Sequence, residues 1–149
     1  MSSITENIFF AEPLLIEKLK TIPEFAQVGT FSELERVIEA AGQTPAAFVV
    51  YDGPGQGASL SGAATLASQV WTVAILVRHG DAAKGNAKVL EIAGRLCRSV
   101  INKFTSREET LENCRPMTLV GGGPTPRYYA GGQGVFYLSF SLTSPMLPR

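Results

Sequence analysis

The chain has 149 residues, of which 45% are apolar and 17% charged. This length predicts one domain, because domains run to roughly 100–200 residues, and it is enough to bury a sizeable core. Its 13 Lys and Arg balance its 13 Asp and Glu, which excludes a protein that binds nucleic acid through an excess of basic charge, and also a disordered polar tail. The balance nevertheless hides an asymmetry. Residues 1–52 carry eight acids and three bases, whereas residues 53–149 carry five acids and ten bases.

The two cysteines and the apolar stretches exclude several further classes of protein. Cys97 and Cys114 have neither a CxxC spacing nor a zinc-binding pattern, so we expect two reduced thiols in a cytosolic protein. No basic segment followed by an apolar run opens the sequence, and no signal peptide is predicted. The uncharged residues 53–77 have the length of a membrane span, but their first half is rich in Gly, Ser and Pro. A soluble protein without membrane contact is therefore predicted.

Hydrophobic periodicity predicts the element order helix, strand, helix, strand, strand, helix, strand, strand. The first helix either bends at Pro13 or begins near Glu12. If it bends, it can begin at a capping box of Ser3 and Glu6, and in either case Pro23 ends it. Ser32 and Glu35 form a capping box for the second helix, and Asp81 is the predicted N-cap of the third, which is the longest. The other helices are predicted at 32–41 and 81–104, the strands at 25–28, 46–51, 70–78, 117–120 and 135–143, and a polar connection at 105–115.

Two strand patterns indicate the architecture. Residues 70–78 are nearly all apolar, which is typical of a central strand or one covered on both faces. Residues 135–143 alternate between apolar and polar side chains, which is typical of an antiparallel strand with one wet face. Because strands and helices do not alternate strictly, the predicted fold class is α+β, a two-layer fold whose mostly antiparallel or mixed β-sheet has helices packed on one face. We expect a single domain over residues 1–149, with flexible glycine-rich loops at about 53–69 and 121–134.

Motifs of enzyme chemistry are missing from the sequence. His79 is the only histidine, and an isolated histidine beside a strand end is more typical of a solvated turn than of a catalytic triad. The glycines that begin at Gly53 lack the spacing and the following helix of a phosphate-binding loop. The acids Glu108, Glu109 and Glu112 lie in a polar connection without a metal-ligand pattern. We therefore predict no catalytic residue, no metal site and no cofactor.

The sequence favours contact surfaces instead. Ten of the fifteen glycines lie in the two predicted loops, and uncharged loops on a compact scaffold can order against a partner. The long helix carries a basic stripe, the second helix is acidic, and Tyr and Arg beside the second loop are residues favoured at interface hot spots. A solvated helix face and a structural hairpin remain the alternatives. The candidate interface residues are Glu33, Glu35, Glu39, Lys84, Lys88, Arg95, Arg98, Arg127, Tyr128 and Tyr129.

Several local patterns together resemble one known family. An apolar strand ends in Val49-Val50-Tyr51 and leads into a glycine-rich loop, which the strand Gln69-Val70-Trp71-Thr72-Val73 follows. A long helix containing Gly94 and Leu96 comes next, and Tyr128-Tyr129 precedes a final aromatic strand at 136–140. This organisation resembles the tail terminator proteins of long-tailed phages and prophages, particularly the Mu-like group. The resemblance covers about residues 5–143 and is carried by loose patterns rather than by signature motifs.

The resemblance implies a non-enzymatic virion protein with an α+β fold and no cofactor. Such proteins form a homohexameric ring on the head-proximal end of the tail tube, where the ring stops tube polymerisation and offers a docking surface to neck or head-completion proteins. The implied partners are thus copies of this chain, the tail tube protein and the neck protein, with DNA only passing through the ring and assembly in the bacterial cytoplasm. A ring needs two different patches on each copy, which the acidic and basic parts of the chain could supply. Alternatively, the basic stripe on the long helix could line the lumen through which DNA passes. The alternatives are another head–tail joining protein of similar fold, and a small ligand-binding or enzymatic α+β domain.

Overall fold

A computed structural model describes residues 9–30, 33, 43–54, 65–78, 85–111, 114–129 and 133–146. In chain order, the described elements are α1 (Ala11–Lys20), β1 (Gln27–Thr30), β2 (Ala46–Pro54), β3 (Thr65–Arg78), α2 (Gly85–Thr105), β4 (Thr118–Tyr129) and β5 (Gln133–Met146). The strands form one five-stranded sheet in the order β1-β2-β3-β5-β4. β1 runs parallel to β2, and every other neighbouring pair is antiparallel. The predicted α+β class with a mixed sheet is confirmed.

Helix α1 forms because its apolar residues recur on one face. Leu15 and Leu19 are fully buried there. The helix begins at Ala11, which places Pro13 in the first turn, where its missing N–H has no partner to lose. Of the two predicted alternatives, a start near Glu12 is therefore confirmed and a bend at Pro13 is not needed. The backbone N–H of Thr21 closes the helix by donating to the carbonyl of Lys18 at 3.2 Å.

The predicted second helix lies outside the described residues, apart from one position. Glu33 is helical, and its Oε2 accepts a hydrogen bond from the backbone N–H of Thr30 at 3.3 Å. This is the returning half of a capping box with Thr30 at the N-cap position, two residues earlier than the predicted pair of Ser32 and Glu35, which the structure does not describe. A Cβ at Gly29 would meet the Glu33 carboxylate, so a larger residue there would displace that carboxylate from its hydrogen bond.

Strand β3 occupies the centre of the sheet, as its apolar sequence predicts. It pairs with β2 on one side and with β5 along all 14 of its residues on the other. The predicted loop boundaries are wrong at 65–69 and at 121–129, because β3 already begins at Thr65 and β4 extends to Tyr129. Local Gly and Pro content indicated turns there, but pairing with the long β5 strand overrides that propensity.

The main hydrophobic core lies between one face of the sheet and the two described helices. Helix α2 contributes the predicted apolar face, which runs from Val89 to Phe104, and β5 contributes Phe136, Leu138 and Phe140. Trp71 is fully buried in this core, and its indole N–H donates to Oε1 of Gln69 at 3.0 Å. Helix α1 covers β1 and β2, whereas α2 covers β3, β5 and part of β4.

The opposite face of the sheet is divided into an apolar and a polar part. A second buried cluster there contains Ala46, Phe48, Ala74, Leu76 and Val135. Farther along the same strands, the hydroxyl of Thr72 donates to Oδ2 of Asp52 at 3.1 Å and lies 2.8 Å from that of Ser139. The alternation predicted for β5 is thus confirmed, since its serines join a polar row while its Phe and Leu residues fill the main core.

Candidate interaction surfaces

The charge asymmetry of the sequence becomes an asymmetry in space. The described residues from 9 to 54 build the β1–β2 end of the sheet with α1, and they carry five acids and two bases. The described residues from 65 to 146 build the rest of the molecule, and they carry three acids and eight bases. The fold therefore has an acidic edge, formed by α1, β1 and β2, and a basic edge, formed by α2, β4 and the connection between them.

Part of the predicted basic stripe on α2 is neutralised within the chain. Nζ of Lys88 lies 3.5 Å from Oε2 of Glu91, and Nη2 of Arg95 lies 2.8 Å from Oε1 of the same residue. All three side chains are exposed, so each pair contributes only about 0–1 kcal/mol to stability. Arg98 is exposed and has no polar partner among the residues that the structure describes, while Lys84 lies outside them. Arg98 is thus the member of the stripe whose charge is available to a partner.

The predicted acidic counterpart is only partly described. Glu33 is folded back onto Thr30, whereas Glu35 and Glu39 lie outside the described residues. Elsewhere on the acidic edge, Glu12 and Glu24 have no ion pair within the described ranges. Glu17 lies 3.6 Å from the ammonium of Lys20.

The β4–β5 hairpin presents the predicted Arg127, Tyr128 and Tyr129 at its exposed end. Tyr128 is 47% exposed and Tyr129 36% exposed. The ring of Tyr128 packs edge-on against Phe136 with centroids 5.9 Å apart, so it lies on the helix side of the sheet. Tyr129 and Arg127 lie on the other side, next to Tyr137. Burial of Tyr137 raises its pKa, Tyr129 raises it further, and the charge of Arg127 opposes that rise. The hairpin end is therefore anchored by aromatic contacts and still open to a partner.

A glycine bulge interrupts β4 at the edge of the sheet. Val120 pairs with Ser139 and Thr125 pairs with Tyr137, so residues 121–124 face only one residue of β5. Gly121 and Gly123 have φ angles of 76° and 151°, which L side chains rarely adopt. Among the described residues, no heavy atom beyond the immediate chain neighbours lies within 4 Å of a Cβ built on Gly121, Gly122 or Gly123. The bulge accordingly projects into open space.

The structure adds a cleft that the sequence analysis did not single out. It has a volume of about 770 Å³ and lies between the end of α2 and the start of β4. Its lining includes Arg107 and Arg115, the apolar side chains of Met117 and Leu119, and Pro116. Both arginines are exposed, and neither has a polar side-chain partner among the described residues. They are eight positions apart in a connection whose sequence indicates only a polar segment, so no sequence pattern predicts that they line one cleft.

Reactive chemistry is not assembled in the described part of the chain. Its His, Cys, Asp and Glu side chains form no group of three that could hold a metal ion, and His79 lies outside it. Burial raises the pKa of the Cys97 thiol to about 11 and also raises that of Cys114, which makes both thiols poor nucleophiles near neutral pH. No described helix is both long and apolar enough to cross a membrane.

Comparison with known proteins assigns the chain to a family. A family model described as phage tail terminator protein matches residues 5–147, which is nearly the whole chain. No curated protein gives a significant match. The family is structural rather than enzymatic and implies a place in the phage tail, in agreement with exposed contact surfaces rather than a reactive site. The resemblance inferred from the sequence is confirmed, and the chain belongs to the phage tail terminator family.

Proposed function

We propose that the protein closes into a homohexameric ring on the head-proximal end of the tail tube, where it ends tube polymerisation and offers a docking surface to neck or head-completion proteins. The family match over residues 5–147 carries this proposal. The protein would have no enzymatic activity, cofactor or membrane contact, and it would become part of the virion tail after assembly in the host cytoplasm. DNA would contact it only while passing through the lumen of the ring.

The distribution of charge supports a ring. Head-to-tail closure requires each copy to present two different patches that fit each other. The acidic and basic edges would supply such a pair, because β1 and β4 lie at opposite ends of the sheet order. In this arrangement Arg98, together with Lys84, Lys88 and Arg95, would face the acidic segment of a neighbouring copy that contains Glu33, Glu35 and Glu39.

The hairpin end would serve a second contact, with the tube protein or the neck protein. Arg127, Tyr128 and Tyr129 combine large exposed area with few rotatable bonds, which is typical of residues that dominate protein interfaces. Anchoring by Phe136 and Tyr137 reduces the entropy lost when a partner orders this end of the hairpin.

Tube growth in vitro tests the proposal. Purified protein is added to polymerising tail tube subunits, and tube length is measured by electron microscopy. We expect tubes that stop growing and carry a ring at one end, with six copies of the 15.9 kDa chain giving about 95 kDa by native mass spectrometry. Tubes that continue to grow would overturn the terminator function. A protein that joins tubes to necks without limiting tube length would support the alternative joining role, and a stable monomer that binds a metabolite would support the ligand-binding alternative.

Charge reversal tests the interface residues. Changing Arg95 and Arg98 to glutamate should prevent ring closure, while changing both to lysine keeps the charge and should preserve it. We expect Arg98→Glu alone to be more damaging than Lys88→Glu, because Lys88 already pairs with Glu91. Hexamers that survive the double reversal would exclude the stripe from the interface.

A further inference from the structure

The structure points to a specific socket in the basic edge. We propose that the cleft between the end of α2 and the start of β4 receives a carboxylate and an adjoining apolar side chain from a neighbouring copy of this chain, with Arg107 and Arg115 as its anion-binding residues. The inference rests on the proposed ring, and it adds residues that neither the family match nor the sequence motifs assign.

The chemistry of the cleft selects an acidic ligand with an apolar neighbour. Arg107 and Arg115 both line it, and no carboxylate does so among the residues that the structure describes, which leave out Glu112. Guanidinium groups bind carboxylates through paired, charge-assisted hydrogen bonds. Met117, Leu119 and Pro116 supply apolar surface beside them. A phosphate backbone would leave that apolar surface exposed, whereas a protein segment can cover it while its carboxylate reaches the arginines.

Contacts within the chain hold the cleft open and leave its arginines available. The carboxylate of Glu109 lies 2.8 Å from the ammonium of Lys103, which lowers the pKa of Glu109 and commits its charge to α2. The carbonyl of Glu109 accepts a hydrogen bond from the ammonium of Lys18. On the other side, the backbone N–H of Arg115 donates to the carbonyl of Thr143 in β5 at 3.0 Å. Both arms of the connection are thus fixed to neighbouring elements, while Arg107 and Arg115 remain exposed.

The first turn of α1 has the matching chemistry at the other end of the molecule. Phe9 is 50% exposed, and its ring packs edge-on against Tyr51 with centroids 4.9 Å apart. The backbone N–H of Glu12 donates to the carbonyl of Phe9 at 3.2 Å, so an apolar ring and a carboxylate lie within one ordered turn. This turn packs at the β1–β2 end of the sheet, and the cleft lies at the β4 end. Within one copy α1 reaches the connection through Lys18, farther along the helix, and Glu12 forms no ion pair with either arginine among the described residues. The pairing is therefore placed between copies, in the head-to-tail manner that a ring requires.

Charge exchange tests the pairing directly. Arg107→Glu with Arg115→Glu should abolish hexamers and capped tubes, and Glu12→Arg should do the same. The triple variant Glu12→Arg, Arg107→Glu, Arg115→Glu restores opposite charges and should recover most of the rings. Arg107→Lys with Arg115→Lys keeps the charge but loses the paired hydrogen bonds, so it should weaken the rings less than the double reversal does. The reversal Lys20→Glu, on the other charged side of the molecule, serves as the control and should behave like the wild type. All the altered side chains are at least partly exposed, and circular dichroism with urea unfolding verifies that each variant folds.

The outcomes separate the socket from the ring itself. If the wild type forms rings and the double reversal of Arg107 and Arg115 forms the same rings, the socket is overturned and the terminator function is left intact. Single reversals that abolish rings without recovery in the triple variant would exclude the Glu12 turn as the occupant. If the wild type neither forms rings nor caps tubes, both proposals fall. Binding of duplex DNA that the double reversal abolishes, with rings unaffected, would assign the cleft to nucleic acid and overturn the inference.

Discussion

Two glycine-to-alanine substitutions provide a test of how α2 lies on the sheet, because the same added methyl group meets opposite surroundings. Gly94 lies on the exposed side of α2, and an alanine Cβ there would have no heavy atom of the rest of the chain within 4 Å. Gly134 lies at the start of β5 beneath α2. There the Cβ would lie 2.9 Å from Cε2 of Phe136 and 3.0 Å from Cγ1 of Val89.

The free energies of unfolding should change in opposite directions. Glycine inside a helix costs about 0.8–1.0 kcal/mol relative to alanine, so Gly94→Ala should stabilise the protein by about 1 kcal/mol and raise its Tm by roughly 2–4 °C. At Gly134 the two neighbours are buried and must move. Overpacking of this kind lowers the free energy of unfolding by about 1–3 kcal/mol. Alanine also reduces the conformational entropy of the unfolded chain, which offsets about 0.4–1 kcal/mol of that loss. Gly134→Ala should therefore destabilise the protein, by about 1–2 kcal/mol.

Urea unfolding measures both changes with one intrinsic probe. Trp71 is the only tryptophan and is fully buried, so its emission should shift to longer wavelength as the core opens. The variants are compared at one protein concentration, because self-association would add to the apparent stability. A Gly134→Ala protein as stable as the wild type would refute the contact of Val89 with β5. A destabilised Gly94→Ala protein would refute the open surroundings assigned to the exposed face of α2.

Three further predictions concern the core. Leu138→Ala, at a fully buried position of β5, should cost about 2–5 kcal/mol in urea unfolding, whereas a loss below 1 kcal/mol would contradict that burial. Gln69→Leu removes the acceptor of the buried Trp71 indole N–H and should lower the free energy of unfolding by about 1–3 kcal/mol. An unchanged free energy of unfolding would contradict this, and would mean that water takes the place of the glutamine. Because burial raises the pKa of Cys97 to about 11, its thiol should react with a disulfide reagent at pH 8 far more slowly in the folded protein than in urea. The buried neutral thiol contributes fully to the free energy of unfolding below the ordinary pKa of 9.0. This contribution should be lost as the pH rises through about 11, so the free energy of unfolding should fall over that range. The fall should be smaller in Cys97→Ala.

The elements that the sequence predicts well are those whose burial repeats along the chain. Alternation in β5 and the apolar face of α2 are local patterns, and both correspond to the buried side chains. The sequence predicts only the first part of strand β4, because Gly121, Gly122 and Pro126 indicate a turn. The full length of β4 depends on its pairing with β5, a strand that comes later in the chain. The cleft is likewise not predicted from the sequence, because Arg107 and Arg115 line the same cleft only after the chain reverses direction beyond α2.

The opposite charges of the two parts of the chain were visible in the sequence, but their positions were not. Sheet order decides them, because β1 joins the outer side of β2 while β5 inserts between β3 and β4. A different order of the same strands would have placed acids and bases side by side. The candidate residues Glu35, Glu39 and Lys84 lie outside the described residues and stay predictions.

The two outer strands of the sheet also limit how copies of this chain can associate. Exposed strand edges invite further strands to add through main-chain hydrogen bonds, which leads to aggregates without a fixed end. At one edge β1 has only four residues, and at the other β4 is broken by its bulge and carries Pro124 and Pro126. Short strands, bulges and prolines all hinder such addition. If copies associate as proposed, they are therefore expected to recognise one another through side chains, which can specify a closed assembly of fixed number. The same edges would then keep the proposed terminator from forming an endless polymer itself.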